Sequence, residues 1–192
     1  MPAEPARGKP SRPVFAVFFD RDGTLMEDAH YCGDPALVRV FPGVPEALRR
    51  LRAAGFAIFI VTNQSGIGRG LITLAQYRAV EEEFLRQAGR ESIDGSYYCP
   101  DAPGVASRCR KPETGMVGQA AAEYAVDLPA SYFVGDKEAD IECGRRAGMR
   151  TILVLTGHGR EQRCAADLTC ADAVEAMERI LGESARSEDK GR

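Results

Sequence analysis

The sequence predicts an α/β fold, with a central parallel sheet of five strands between two layers of helices. Three observations carry this expectation. Short apolar runs alternate with stretches of helical periodicity along the 192 residues, the pattern of a parallel sheet covered on both faces. The first two runs are apolar at successive positions, as strands buried on both sides are. Three runs stop abruptly on polar, glycine-bearing segments at residues 20–23, 62–66 and 135–140. In a parallel sheet such ends lie along one edge, where open α/β sheets bind ligands.

The elements follow in order. Residues 14–19 (VFAVFF) form the first strand, and Asp20 and Asp22 follow it at i and i+2. Side chains alternate along an extended chain, so the two carboxylates can share a direction that Arg21 does not. Gly23 then allows a sharp turn. Residues 26–41 are too long for a tight turn and would rise over the strand end as a flap. A helix over residues 42–55 has Pro45 in its first turn and apolar Val44, Ala47, Leu48 and Leu51 in phase, and Gly55 closes it. Residues 57–61 form the second strand. Thr73 and Gln76 read as a capping box opening the next helix. The third strand covers residues 96–99, the fourth 131–134 and the fifth 151–155. Helices are expected over 115–125 and 139–147, and Val174, Met177, Ile180 and Leu181 mark a last one. Neither of the first two strands is followed by a large insertion, so no separate cap domain is expected.

Composition excludes several classes. Hydrophobic residues make up 44% and charged residues 28%, as in an ordinary globular domain, and the net charge of −3 offers no basic footprint for nucleic acid. No apolar run has the length of a membrane span. Six cysteines, at 32, 99, 109, 143, 164 and 170, show no regular framework. They are expected to be reduced thiols in a cytoplasmic protein. Residues 1–13 carry no hydrophobic segment and read as a disordered tail rather than a signal peptide. Residues 183–192 read as a second disordered tail, which leaves 14–182 as a single domain. A monomer without membrane or nucleic-acid partners is the default expectation.

The strand ends bring together a definite chemistry. The first offers Asp20 and Asp22. The second offers Thr62, Asn63, Gln64 and Ser65 with exposed backbone N–H groups. The segment before Pro112 offers Arg110 and Lys111. The fourth offers Asp136, Lys137 and Asp140. Carboxylates from two strands beside a hydroxyl and a lysine suit Mg²⁺ and a phosphoryl group. Phosphoryl transfer chiefly needs positioning and neutralisation of oxygen charge.

Four motifs, FFDRDGTL, VTNQSG, the lysine of RKP, and VGDKEAD, resemble in order the motifs of the haloacid dehalogenase (HAD) superfamily of phosphotransferases. The resemblance spans residues 14–182 and implies a Rossmann-like, three-layer α/β/α HAD fold. It implies Asp20 as nucleophile, through an aspartyl-phosphate, and Asp22 as general acid and then base. Thr62 and Lys111 would hold the phosphoryl oxygens. Asp20, the backbone carbonyl of Asp22, and Asp136 would bind Mg²⁺, and Asp140 would support them.

DRDGTL, TNQSGIGRG, CRKPETGM and VGDKEAD together resemble the D-glycero-D-manno-heptose 1,7-bisphosphate 7-phosphatase subfamily, related to the histidinol-phosphate phosphatases. A small phosphorylated sugar is the implied substrate, with histidinol phosphate or another small phosphosugar as the alternative. A catalytically idle phosphosugar-binding protein is a third reading. Substrate contacts implied by this resemblance are Asp28, Ala29, His30, Tyr31, Thr62, Asn63, Gln64, Ser65, Arg110, Lys111 and Lys137, with Arg69 a candidate for the second phosphate. The subfamily usually carries a structural zinc site before the Arg-Lys pair. Here Cys99 and Cys109 hold its first and last positions, while Asp101 and Ser107 replace the others. That leaves a degenerate Zn²⁺ site short of four nitrogen or sulfur ligands. His158 reads as a loop histidine, and the run Glu81-Glu82-Glu83 as a solvated helix face.

Overall fold

The computed structural model describes residues 13–189. The expected N-terminal tail lies outside the described residues except for Pro13, as do residues 190–192. Six strands form one sheet: β1 (Ala16–Phe19), β2 (Ala57–Asn63), β3 (Gly95–Cys99), β4 (Tyr132–Gly135), β5 (Arg150–Val154) and β6 (Leu168–Cys170). Their order is β3-β2-β1-β4-β5-β6, and every pairing is parallel.

The helices are α1 (Val44–Ala53), α2 (Ser65–Gly68), α3 (Leu74–Ala88), α4 (Gly115–Tyr124), α5 (Glu138–Arg146) and α6 (Ala173–Asp189). Alternation along the strands divides the core. Val17, Phe19, Ile58, Ile60, Val134 and Ile152 face α1, α3 and α6. Ala16, Phe18, Phe59, Val61 and Phe133 face the side covered by α4 and α5. The capping box of α3 is present: Thr73 Oγ1 accepts from the Gln76 N–H at 3.2 Å, and Gln76 Oε1 accepts from the Thr73 N–H at 2.8 Å. Among the described residues no helix is long and apolar enough to cross a membrane.

Two expectations are corrected. The sheet has six strands rather than five. The sixth is only three residues long, pairs at the edge with Ile152–Val154, and carries no apolar run that could announce it. The last helix continues through Asp189, so residues 183–189 are helical rather than a disordered tail. Tyr132 donates to Glu183 at 2.8 Å, and Arg150 pairs with the same carboxylate, which ties this extension to the sheet.

The chain builds outward from β1 through β2 to β3, then returns to place β4 on the other side of β1. The helix after β1 lies on one face and the helix after β4 on the opposite face. The carboxyl ends of these two neighbours therefore bound the crevice at which such sheets bind ligands.

Candidate active site

Asp20 follows β1 directly, and its N–H donates to the carbonyl of Val134 on β4 at 2.9 Å. Lys111 reaches it from the segment before α4. The Lys111 ammonium lies 2.6 Å from Asp20 Oδ1, 2.6 Å from Asp140 Oδ1 and 2.7 Å from the carbonyl of Val61. Asp140 serves two ends at once, because its Oδ2 accepts from the Lys137 N–H at 3.0 Å and so caps α5. Carboxylate oxygens of Asp20, Asp136 and Asp140 lie within 4.8 Å of one another, and all three residues are buried.

This concentration of charge is out of balance. Burial is the main cause that raises Asp20, to about 8. Lys111 pulls it down, and Asp140 and Asp136 push it further up. Burial likewise raises Asp136. Burial works against the Lys111 cation, but Asp140 and Asp20 outweigh it and hold the ammonium above its ordinary value. One lysine between two carboxylates cannot neutralise both.

Asp136 accepts from the His158 N–H through Oδ2 at 2.8 Å. Its Oδ1 is buried with no hydrogen-bond partner among the described residues. A buried carboxylate oxygen without a donor is costly unless something else satisfies it. An all-oxygen set of clustered carboxylates is the chemistry of a hard divalent cation, so these residues fit Mg²⁺. Gly23 and Gly157 make room beside Asp136. A Cβ on either would fall 2.4 or 2.2 Å from Asp136 Oδ2, and both glycines have positive φ, +87° and +50°.

Asp22 is held from three directions. Arg21 Nη2 reaches its two oxygens at 3.1 and 3.0 Å, Gln64 Nε2 donates to Oδ2 at 2.7 Å, and Thr62 Oγ1 lies 3.4 Å from the same oxygen. Asn63 is turned elsewhere. Its amide receives the Lys111 N–H at 3.0 Å and donates to the Lys111 carbonyl at 3.1 Å, so it fixes the main chain of the lysine. Ser65 opens α2.

The segment over residues 26–41 does reach across the strand ends. Asp28 lies 3.3 Å from Lys137 Nζ and 3.5 Å from His158 Nε2, and accepts from the His30 N–H at 3.0 Å. Burial opposes its charge, but Lys137 and the His30 N–H more than offset this and keep its carboxyl below the ordinary value. His30 and Tyr31 both adopt positive φ, +46° and +49°. Arg69 stacks on the Tyr31 ring and hydrogen-bonds its hydroxyl. Ala29 packs against the core cluster instead of presenting a polar contact. Arg110 is anchored through Nη1 to the Asp101 carbonyl at 3.1 Å.

The degenerate ligand set does converge: Cys99, Asp101 and Cys109 are clustered, and Ser107 Oγ lies 3.5 and 3.4 Å from the two sulfurs. The expectation of reduced thiols fails here, because Cys99 and Cys109 form a disulfide. A disulfide leaves no thiolate at either position to bind zinc. Ser107 Oγ also accepts from the N–H groups of Cys109 and Arg110 at 3.2 and 2.9 Å, which closes the turn. Cys32, Cys143, Cys164 and Cys170 are free.

Sequence reasoning missed two residues that act on this site. Arg21, given no role from the sequence, is fully buried, and Glu81 is its partner rather than part of a solvated face. No local pattern announces a pair 60 residues apart.

The chain is similar to known proteins over most of its length. The HAD-hydrolase-like family model matches residues 108–176. A probable D-glycero-D-manno-heptose-1,7-bisphosphate 7-phosphatase from Thermoplasma volcanium is 42% identical over 134 residues, covering 68% of this chain and 91% of that protein. The D-glycero-beta-D-manno-heptose-1,7-bisphosphate 7-phosphatase of Escherichia coli K12 is 40% identical over 157 residues, covering 77% and 82%. The crystal structure of D,D-heptose 1,7-bisphosphate phosphatase from B. bronchiseptica, complexed with magnesium and phosphate, superposes with a TM-score of 0.81 at 31% identity, covering 88% of this chain and 99% of that one. With its buried Asp20–Lys111–Asp140 cluster at the crevice between β1 and β4, the chain belongs to the HAD-like phosphatase family that includes the heptose 1,7-bisphosphate 7-phosphatases.

Proposed function

We propose that this protein is a Mg²⁺-dependent phosphomonoester hydrolase that removes the 7-phosphate of D-glycero-D-manno-heptose 1,7-bisphosphate through an aspartyl-phosphate on Asp20. The observation that carries the reading is the buried carboxylate cluster with the partnerless Asp136 Oδ1 at its edge. The names of the relatives support the substrate.

Asp20, the backbone carbonyl of Asp22, and Asp136 would hold Mg²⁺, whose charge would offset that of the phosphoryl oxygens. The rest is done by side chains. Lys111, fixed by Asp140 and by the amide of Asn63, orients the Asp20 carboxylate and adds positive charge beside the phosphoryl group. An Asp20 oxygen attacks phosphorus while the bond to the sugar oxygen breaks, and Asp22 gives its proton to that oxygen. Water then attacks the aspartyl-phosphate, Asp22 takes its proton, and release of phosphate restores the Asp20 carboxylate. Thr62 and Ser65 would contact the phosphoryl oxygens. Lys137, Arg110, Arg69 and the segment carrying Asp28, His30 and Tyr31 would surround the remainder of a doubly anionic sugar.

The test is phosphate release with Mg²⁺ from heptose 1,7-bisphosphate and from histidinol phosphate, measured side by side as kcat/KM. A clear preference for the heptose is expected, and faster turnover of histidinol phosphate would remove the substrate assignment. A cytoplasmic monomer without nucleic-acid partners belongs to the same proposal, and size-exclusion chromatography with scattering checks the oligomeric part.

A further inference from the structure

Arg21 has no role in the chemistry set out above, yet it is among the most deeply buried side chains in the molecule, with 0% exposure. Burying a guanidinium is unfavourable unless every charge on it is matched. Here two of its three nitrogens are matched, while Nε is buried with no hydrogen-bond partner among the described residues. Nη2 bridges both oxygens of Asp22, and Nη1 donates to Glu81 Oε2 at 2.7 Å. The guanidinium also lies 5.5 Å from the centre of the Tyr77 ring. Glu81 is itself held in place: Tyr77 Oη lies 3.4 Å from Oε2, and Ser96 on β3 hydrogen-bonds Oε1. A chain of contacts therefore runs from β3 and α3 through Glu81 and Arg21 to the Asp22 carboxylate.

One nitrogen, Nη2, sits between the two Asp22 oxygens while Nη1 is taken by Glu81, so a rigid planar group anchored at its far side fixes where the carboxylate lies and how its plane turns; a lysine ammonium has no second nitrogen for Glu81 and sits on a flexible stem. Gln64 binds only one Asp22 oxygen, and the Thr62 contact with that same oxygen is long. Neither sets the plane. Glu81 in turn occupies the far side of Arg21 and prevents the fork from swinging away.

The geometry points to Arg21 and Glu81 as positioning residues for proton transfer by Asp22, an inference that rests on the reading of Asp22 as the general acid. Neither residue need touch substrate. Their effect is to aim the acid at the leaving oxygen.

Leaving-group chemistry separates this role from simple structural support. A sugar alkoxide is a poor leaving group and departs only with a proton, whereas p-nitrophenolate is stable without one. The experiment compares kcat/KM, which reports the steps up to loss of the leaving group, for heptose bisphosphate and p-nitrophenyl phosphate. Wild type, Glu81→Gln, Glu81→Ala and Arg21→Lys are assayed with Mg²⁺, and thermal melting monitors folding. The expected result is a loss of about 10- to 100-fold on the sugar phosphate, with less than about 3-fold on p-nitrophenyl phosphate, carried in kcat rather than KM. Glu81→Gln, which keeps the shape and one acceptor, should retain more sugar-phosphate activity than Glu81→Ala. Equal losses on both substrates, or no loss on either, overturn the inference. Asp20→Asn is the separate control. If it hydrolyses both substrates as fast as wild type, the phosphatase reading itself fails, and the positioning role falls with it.

Discussion

Asp20 carries the largest consequence of any single side chain. As the proposed nucleophile it has no substitute, so Asp20→Asn should lower kcat by about 10³-fold or more, measured as phosphate release with Mg²⁺. A rate within about tenfold of wild type would show that another group carries the chemistry. Its titration gives a second, independent expectation. Asp20 is raised from 3.8 to about 8, chiefly by burial. A group raised in the folded state contributes stability that is full below its unfolded value and lost as pH rises through the folded one. The metal-free protein should therefore lose thermal stability as pH climbs from 3.8 toward about 8, with no further loss from this group above that. Added Mg²⁺ should flatten that loss by favouring the ionised carboxylate. Melting curves in chelator and in Mg²⁺ test both parts, and a chelated protein that grows more stable across this range contradicts them. Lys111 is the other decisive residue. Lys111→Met would strand Asp20 and Asp140 as buried carboxylates, a loss of about 3–5 kcal/mol by urea denaturation.

At the scale of elements, two loops control the site from outside the strands. The turn after β5 presents Gly157 and the His158 N–H to Asp136. Gly157→Ala would drive a Cβ to 2.2 Å from Asp136 Oδ2, so the carboxylate must move. The apparent affinity for Mg²⁺ should fall, by about tenfold or more if the shift costs about 1.4 kcal/mol of binding. Calorimetric titration of the folded variant with Mg²⁺ checks this. The loop between β3 and α4 is closed by Cys99–Cys109 across a sequence separation of 10. Mass spectrometry of the unreduced protein should find four alkylatable thiols and two blocked ones. Reduction should lower stability by about 3 kcal/mol on a chain-entropy estimate for so short a loop. Six alkylatable thiols before reduction would show the bond absent.

At the scale of the molecule, the order of the strands decides where the chemistry is. The reversal between β1 and β4 sets Asp20 and Asp136 on neighbouring strand ends, and the segment before α4 and helix α5 deliver Lys111 and Asp140 to the same crevice. Most of this was legible in the amino-acid string. A strand buried on both faces announces itself by unbroken apolar runs, and a helix by its period and caps, because both depend on nearby residues. Asp20 and Asp136 follow their strands directly and Thr62 lies near the end of β2, so all three were placed as soon as the strands were. Strand β6 was not legible, since its three residues are fixed by pairing with β5 rather than by a pattern of their own. Nor was the pairing of Arg21 with Glu81, the bond between Cys99 and Cys109, or the use of Asn63 to hold the main chain of Lys111. The sequence alone determined which chemical groups stand at which strand ends, because covalent spacing and local periodicity settle that. Which buried charges and thiols meet was settled by folding in three dimensions, because those partners come together through sheet order and helix packing across long stretches of chain.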